Sequence, residues 1–393
     1  MLDAWALGFA LAAGCFQPLD DAIAMLAAIS DEAVGLDEAT SDTEGLDAAV
    51  SADDAHTLFV GHAGFEVLEK PRWVRHRVRP RERLTAIAAR HGARAEDLIR
   101  WNRLDPNEPA VRRRHLRVFT ARVAPELRRV SYRIAAGESW DDIAANLRLP
   151  EHDVRVQNYR IRTPAAGEVV SAWIDPLEGP SFTPATEPTE QPPLELHRDG
   201  KSIGLPQRGK LVDAVQLPEH PLWIRGNPDH LWASAHAIHI IHQAFSILRG
   251  QLGYPSALLI GSISRRKGGR MPPHRSHQSG RDVDIRLPLR PGMEKTKAPT
   301  ADEIDWYATW AMIDSFARTG HAEVVFLNEA HHHRLYEAAR AMGVPRQRVH
   351  EVVRWPAWRG GANPVVQHAE GHNVHLHVRV RCGADEPKCE SGP

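Results

Sequence analysis

HRSHQSGRDVDI, residues 274–285, sets two histidines ahead of a glycine and two aspartates behind it. A second stretch far along the chain, GHNVHLHVRVRC at residues 371–382, holds three more histidines. In a strand, residues two apart face the same side. RDVDI therefore reads as a strand with Val283 and Ile285 on one face and Asp282 and Asp284 on the other. VHLHVRVRC puts Val374, Leu376, Val378 and Val380 toward a core, with His375, His377, Arg379 and Arg381 opposite. A turn at Gly280 lets His277 fold back toward Asp284. If the fold joins the two stretches, imidazoles and a carboxylate meet at one point. A catalytic zinc takes three nitrogen or oxygen ligands from the protein and keeps one position for water. A His, an Asp and a His meet that need.

The chain has 23 histidines, so proximity alone is weak evidence. HHH at 331–333 reads as a solvated surface cluster, and His236, His239 and His242 as helix-face residues. PDHLWASAHAIHIIHQAFSILRGQLG reads as a long helix with Trp232, His236, His239, Ile240 and Phe245 near one face. SALLIGSIS and HAEVVFLN read as strands. Residues 200–393 suffice for one domain with a sizeable core.

At 393 residues the whole chain predicts two or three domains. Before residue 200 lies LEGPSFTPATEPTEQPPLELHRDG, where prolines block helix and central strand. Residues 177–199 therefore read as a semi-stiff linker. Upstream, RHRVRPRERLTAIAARHGARAEDLIRWNRL from Arg75 and SYRIAAGESWDDIAANLRLPEHDVRVQNYRI from Ser131 share an order: short strand, turn, helix, break, helix, Asn. Leu84, Ile87 and Ala88 recur at helical spacing, as do Trp140, Ile143 and Ala144. A period of roughly 55 residues indicates repeated modules, at 71–122 and 128–176.

No Lys or Arg precedes Lys70. Residues 19–70 are acidic and poor in aromatics, and read as a spacer that cannot bury enough apolar surface to order itself. Residues 1–18 hold an apolar run of signal-peptide length ending in LAAGC, a lipoprotein-like box with Cys15 as the residue to be lipidated, although Asp3 stands where a basic flank is usual. No run approaches the roughly 20 apolar residues of a membrane span. The expectation is export to the periplasm or cell envelope, with a possible lipid anchor at Cys15. A formal net charge of -1 gives no case for a nucleic-acid partner. The arginine-rich stretch from Arg72 reads either as a solvated face or as a surface drawn to an anionic polymer. Cys382 and Cys389 in CGADEPKC read either as a small disulfide loop, which needs an oxidising compartment, or as two reduced thiols.

The repeats resemble LysM domains in RLTAIA at 83–88, Trp101-Asn102, and GESWDDIA at 137–144 with Asn158. The resemblance implies βααβ modules that bind N-acetylglucosamine-containing glycans, peptidoglycan above all. The first copy has RPRERL where a Gly-Asp-Thr-Leu turn is common. SHQSGRDVDI and HNVHLHVRVRC resemble the penicillin-insensitive murein endopeptidases, a metallopeptidase group shared with lysostaphin-type enzymes, D-Ala-D-Ala peptidases and the Hedgehog signalling domain. The likeness extends through SIGLPQRGKLVDAVQLP, GNPDHLW, LLIGSIS and HVRVRCGADEPKCE. It implies zinc bound by His277, Asp284 and His377, with His274 a further ligand. It implies that His375 acts beside the metal as base or transition-state stabiliser with His372 nearby, and that Cys382 pairs with Cys389. Arg281 stands where the family has an apolar residue, and the family's extra metal ligands have no match between Asp284 and Asn328.

The expected fold class is α+β: a zinc peptidase domain with a central antiparallel sheet flanked by helices, plus two small βααβ modules. The activity implied is hydrolysis of D-alanyl-meso-diaminopimelyl cross-links in peptidoglycan. The alternatives are a zinc D,D- or L,D-carboxypeptidase on stem peptides and a non-catalytic wall-binding protein.

Overall fold

The computed structural model describes residue 49 and residues 66–79, 82–106, 114–291, 293, 296–356 and 363–391. The expectations for residues 1–18, for Cys15 and for nearly all of the acidic spacer lie outside those residues.

The first module runs β1 (Glu66–Arg77), α1 (Leu84–Arg90), α2 (Ala95–Asn102) and β2 (His115–Val123). Its first strand begins at Glu66, inside the stretch read as spacer. The second module repeats the order with β3 (Arg128–Arg133), α3 (Trp140–Asn146), α4 (Glu151–Gln157) and β4 (Val169–Ile174). In each, an antiparallel strand pair covers a small core. Ile87, Leu98, Leu116 and Val118 fill the first, and Tyr132, Ile143, Leu147, Val154 and Val170 the second. One asparagine locks each module in the same way. Asn102 donates to the Leu98 and Arg117 carbonyls (3.0 and 2.8 Å) and accepts from Arg117 N–H (2.7 Å). Asn158 donates to the Val154 and Ser171 carbonyls (2.8 and 2.9 Å) and accepts from Ser171 N–H (2.9 Å). The side-chain amide thus closes the end of the second helix onto the last strand, satisfying groups that the helix terminus leaves open.

The C-terminal domain holds β5 (Lys201–Leu205), β6 (Arg208–Val212), β7 (Val215–Gln216), β8 (Trp223–Arg225), β9 (Trp232–Ala233), α5 (Ala235–Gly250), β10 (Leu258–Ser262), β11 (Asp282–Arg286), α6 (Trp306–Arg318), β12 (Ala322–Leu327), α7 (His332–Ala341), α8 (Arg346–Val352), β13 (Val366–His368) and β14 (His375–Val380). Six strands form one sheet in the order β13-β12-β14-β11-β10-β8. Its centre is antiparallel, as expected, but both edges pair in parallel, β8 with β10 and β13 with β12, so the sheet is mixed. Val283, Ile285, Leu376 and Val378 share one core with Ile238, Ile241 and Phe245 of α5 and Trp310, Ile313 and Phe316 of α6. Full burial of each such side chain contributes roughly 1.5–3 kcal/mol.

Two expectations fail here. Trp232 lies in β9, outside the helix; Ile240 and Phe245 are buried as expected, with Ala237, Ile238, Ile241, Ala244 and Leu248, while His239 is exposed. The apolar residues at intervals of three and four decide the face, not the histidines. His331 and His332 are buried rather than solvated. Asn328 caps the turn after β12, which carries the triplet inward: the His331 ring packs 4.9 Å from that of Trp306, and His332 Nε2 lies 3.3 Å from the Leu327 carbonyl.

The linker is no free tether. It lacks regular structure, yet Thr189 N–H donates to the Gly250 carbonyl and Ala185 N–H to that of Gln251, each at 3.0 Å. Phe182 packs on Tyr254, and the Nε2 atoms of His220 and His242 lie 3.1 and 2.9 Å from the Pro192 carbonyl. The modules are docked as well. Arg79 stacks over Trp173, and Arg90 pairs with Asp175 at 2.6 Å, joining module to module. Each module presents the start of its first helix to the C-terminal domain. Asp302 accepts from Arg83 (2.5 Å) and Thr85 and also pairs with Arg334 (2.9 Å). Arg340 pairs with Asp141 and Asp142 (3.1 and 2.7 Å), and Arg346 with Asp141 (2.8 Å). Replacing both Asp141 and Asp302 with Ala should release the modules and raise the radius of gyration measured by small-angle X-ray scattering. An unchanged radius would show that these pairs do not hold the arrangement.

Candidate active site

The polar face of the sheet lies opposite the helices, beneath the loop from Ile263 to Arg281 and the β5–β6 hairpin. Gly209 and Gly268 bring the hairpin and loop backbones together: a Cβ on Gly209 would meet Ser279 at 2.7 Å, and one on Gly268 would meet Lys210 at 2.6 Å. In the β11–β14 register, Asp282 stands opposite Arg379, Asp284 opposite His377, and Arg286 opposite His375. The loop adds His274 and His277.

Gly280 adopts φ +74°, as a turn there requires, but His277 itself also sits at φ +64°. Such a conformation in a non-glycine residue costs on the order of 1–3 kcal/mol. Its backbone is held on both sides: N–H donates to Asp282 Oδ2 at 3.1 Å, and the carbonyl accepts from the Ser264 hydroxyl at 2.5 Å. The ring is held too, since Nδ1 lies 2.8 Å from the Ile263 carbonyl, to which it donates. Nε2 is thereby left as the lone-pair nitrogen, and it faces Asp284.

Around Asp284 Oδ1 stand His277 Nε2 at 3.1 Å, His377 Nδ1 at 3.4 Å and His375 Nε2 at 3.9 Å, with His274 Nδ1 3.5 Å from Oδ2. His274, His277 and Asp284 each offer a ligand atom, all within 4.8 Å of one another. His277 Nε2 and Asp284 Oδ1 are buried without a hydrogen-bond partner. Unpaired buried polar atoms are costly. Two facing each other at 3.1 Å, with His377 Nδ1 3.4 Å from the same carboxylate oxygen, fit a site built for a cation. Burial disfavours a charge on His277, but the adjacent Asp284 outweighs it and raises the pKa above the ordinary histidine value. Burial likewise opposes ionisation of Asp284, yet His277 and His377 hold it below the usual carboxylate range. His274 and His375 have their pKa values lowered, chiefly by burial. They remain about 30 % exposed and form the open rim of the cluster. His372 packs beside two of these histidines, its ring tilted 4.8 Å from that of His375 and edge-on 5.7 Å from that of His377.

The penicillin-insensitive murein endopeptidase profile matches residues 202–393. A penicillin-insensitive murein endopeptidase of Citrobacter koseri is 31% identical over 207 residues, covering 49% of this chain and 70% of its own. The chain belongs to this endopeptidase family. Namesakes from Haemophilus influenzae and Escherichia coli O157:H7 are 28% and 29% identical, spanning 68% and 78% of their own lengths and 49% and 54% of this chain. The LysM domain profile matches residues 76–113, within the first module.

Within this endopeptidase domain, all six histidine and aspartate residues singled out from sequence converge on one cluster. Cys382 and Cys389 form a disulfide just beyond β14. Arg281, the departure from the family pattern, is 1% exposed, and both its terminal nitrogens are engaged: it donates to Glu323 (2.7 Å) and to the Val380 and Glu390 carbonyls, tying the C-terminal tail to the sheet. Sequence reasoning missed two members of the site, Asp282 and Arg379. Both are buried on the polar face and paired at 2.8 Å. Their signal was present in the alternation, which set them beside the histidines, but their pairing depends on strand register.

Proposed function

We propose that this chain is a zinc-dependent endopeptidase that hydrolyses D-alanyl-meso-diaminopimelyl cross-links of peptidoglycan in the cell envelope. The observation that carries the metal reading is the pair of unpartnered buried atoms, His277 Nε2 and Asp284 Oδ1, at the centre of the histidine cluster. His277 would hold zinc through Nε2, because Nδ1 is committed to Ile263. Asp284 would ligate through Oδ1 and His377 through Nδ1, with His274 a further ligand at the rim. Zinc in such a site would supply Lewis acidity, polarising a carbonyl and lowering the pKa of water to about 7. His375 has its Nε2 at the edge of the cluster, where it can take a proton and return it to a leaving amine. His372, packed on His375, limits where that ring can turn. The open rim at His274 and His375 is the side from which a peptide would enter.

Both modules are read as glycan binders that hold the enzyme on its insoluble substrate. The second is included because it repeats the element order and the asparagine lock of the first. A cell-envelope location agrees with the disulfide, which persists in oxidising compartments. Among the described residues, no helix is long and apolar enough to cross a membrane.

Digestion of purified murein with and without a chelator, read by mass spectrometry, tests the reaction. Loss of cross-linked dimers only when metal is available supports the proposal. Loss of terminal D-Ala from monomers would establish a carboxypeptidase instead, and no turnover with zinc bound a wall-binding protein. The histidine roles are tested separately. His377→Ala should lose zinc and activity together. His375→Ala should keep zinc near one per chain and slow turnover by roughly 10²–10⁴-fold. The reverse pattern of zinc loss would exchange the two assignments.

A further inference from the structure

Asp282 is fully buried, yet the chemistry proposed above does not use it. Its oxygens are nonetheless all claimed. Oδ1 accepts from Arg379 Nε at 2.8 Å and lies 3.4 Å from His377 Nε2. Oδ2 accepts the His277 backbone N–H at 3.1 Å and lies 3.5 Å from Arg379 Nη2. One carboxylate therefore touches two of the residues assigned to the metal, at points facing away from the cluster. At His277 it secures a strained backbone. At His377 it decides a tautomer, because an ionised carboxylate only accepts hydrogen bonds. With Nε2 3.4 Å from that carboxylate, the ring favours the tautomer protonated on Nε2, which leaves the Nδ1 lone pair directed at Asp284.

Arg379 explains why Asp282 stays in this role. Guanidinium is permanently charged, so it keeps the buried carboxylate ionised and fixed in direction. Arg379 is itself held: its guanidinium lies 5.5 Å from the Phe326 ring, which packs edge-on to His377 with centroids 5.3 Å apart. The cross-strand register places this pair one step along the sheet from Asp284 and His377.

We infer that Asp282 and Arg379 are a positioning pair that sets His377 to ligate through Nδ1 and holds the His277 backbone in its ligating conformation. The inference rests on the metal centre proposed above. Partners behind metal-bound histidines tune affinity by about 10–100-fold, and this pair should act at that level.

The test uses the full chain, with zinc titrated against a competing chelator. The metal-free protein is then reloaded with cobalt(II), whose visible spectrum reports ligand geometry. Asp282→Asn preserves shape but offers an amide that can donate as well as accept. It should weaken zinc by about 10–100-fold and alter the cobalt spectrum. Arg379→Lys keeps the charge but loses the Nε–H contact, and should shift both readouts in the same direction by less. A purely structural ion pair would lower the melting temperature of the metal-free protein and leave both metal readouts unchanged. Zinc affinity within about twofold of the parent, with an unaltered cobalt spectrum, overturns the inference. If Asp282→Asn does not fold, Arg379→Lys is judged by the same two criteria. His277→Ala and Asp284→Ala serve as controls: should they bind zinc as tightly as the parent, the metal centre itself is misplaced, and the failure is not that of the positioning pair.

Discussion

The pairing of Asp284 with His377 across β11 and β14 is the constraint on which the rest of the site depends. Side chains alternate along a strand, so a slip of one residue would turn every member of the row to the other face. Leu376 and Val378 would enter the polar cluster, and His377 and Arg379 would meet the aromatic core of α5 and α6. The apolar face enforces the register, because Val283, Ile285, Leu376 and Val378 are each at most 1% exposed. The core that stabilises the domain thus also aligns its chemistry, and the two cannot be varied independently.

A consequence is that β14 is buried on both faces. One side is apolar. The other carries His377 and Arg379, each 6% exposed. Desolvating such groups is expensive unless they are paired. The paired members are satisfied within the protein, Arg379 by Asp282 and His277 Nδ1 by Ile263. Around Asp284, His277 Nε2 and Asp284 Oδ1 face each other and have no hydrogen-bond partner. Two unpartnered ligand atoms that face each other among histidines separate a prepared site from a histidine-rich surface.

Much of this was legible in the chain itself. Alternation in RDVDI and HLHVRV assigned the two faces of β11 and β14, and the repeat at two places predicted two like modules. What failed did so where tertiary packing overrides local pattern. Composition could not tell that the histidine triplet turns inward after Asn328, nor that Trp232 belongs to a short strand before the helix cap at Ser234. Prolines in residues 177–199 excluded helix and central strand, but their content says nothing about where the remaining carbonyls go. Here two histidines meet the Pro192 carbonyl, while the Ala185 and Thr189 amides donate to carbonyls at the end of α5. Asp282 and Arg379 were visible as residues on the right face, yet a pair between two strands so distant in sequence exists only once the register is known.

The docked modules give the molecule a geometry that a tethered anchor would lack. A flexible linker lets a catalytic domain sweep a volume, with reach set by chain statistics. Here arginine–carboxylate pairs fix the start of each module's first helix on the domain that carries the cluster. For an enzyme held on glycan by such modules, the distance from grip to scissile bond becomes a constant of the fold. The enzyme would then behave as a ruler, cleaving peptides at a set offset along the strand it grips and passing over those nearer or farther.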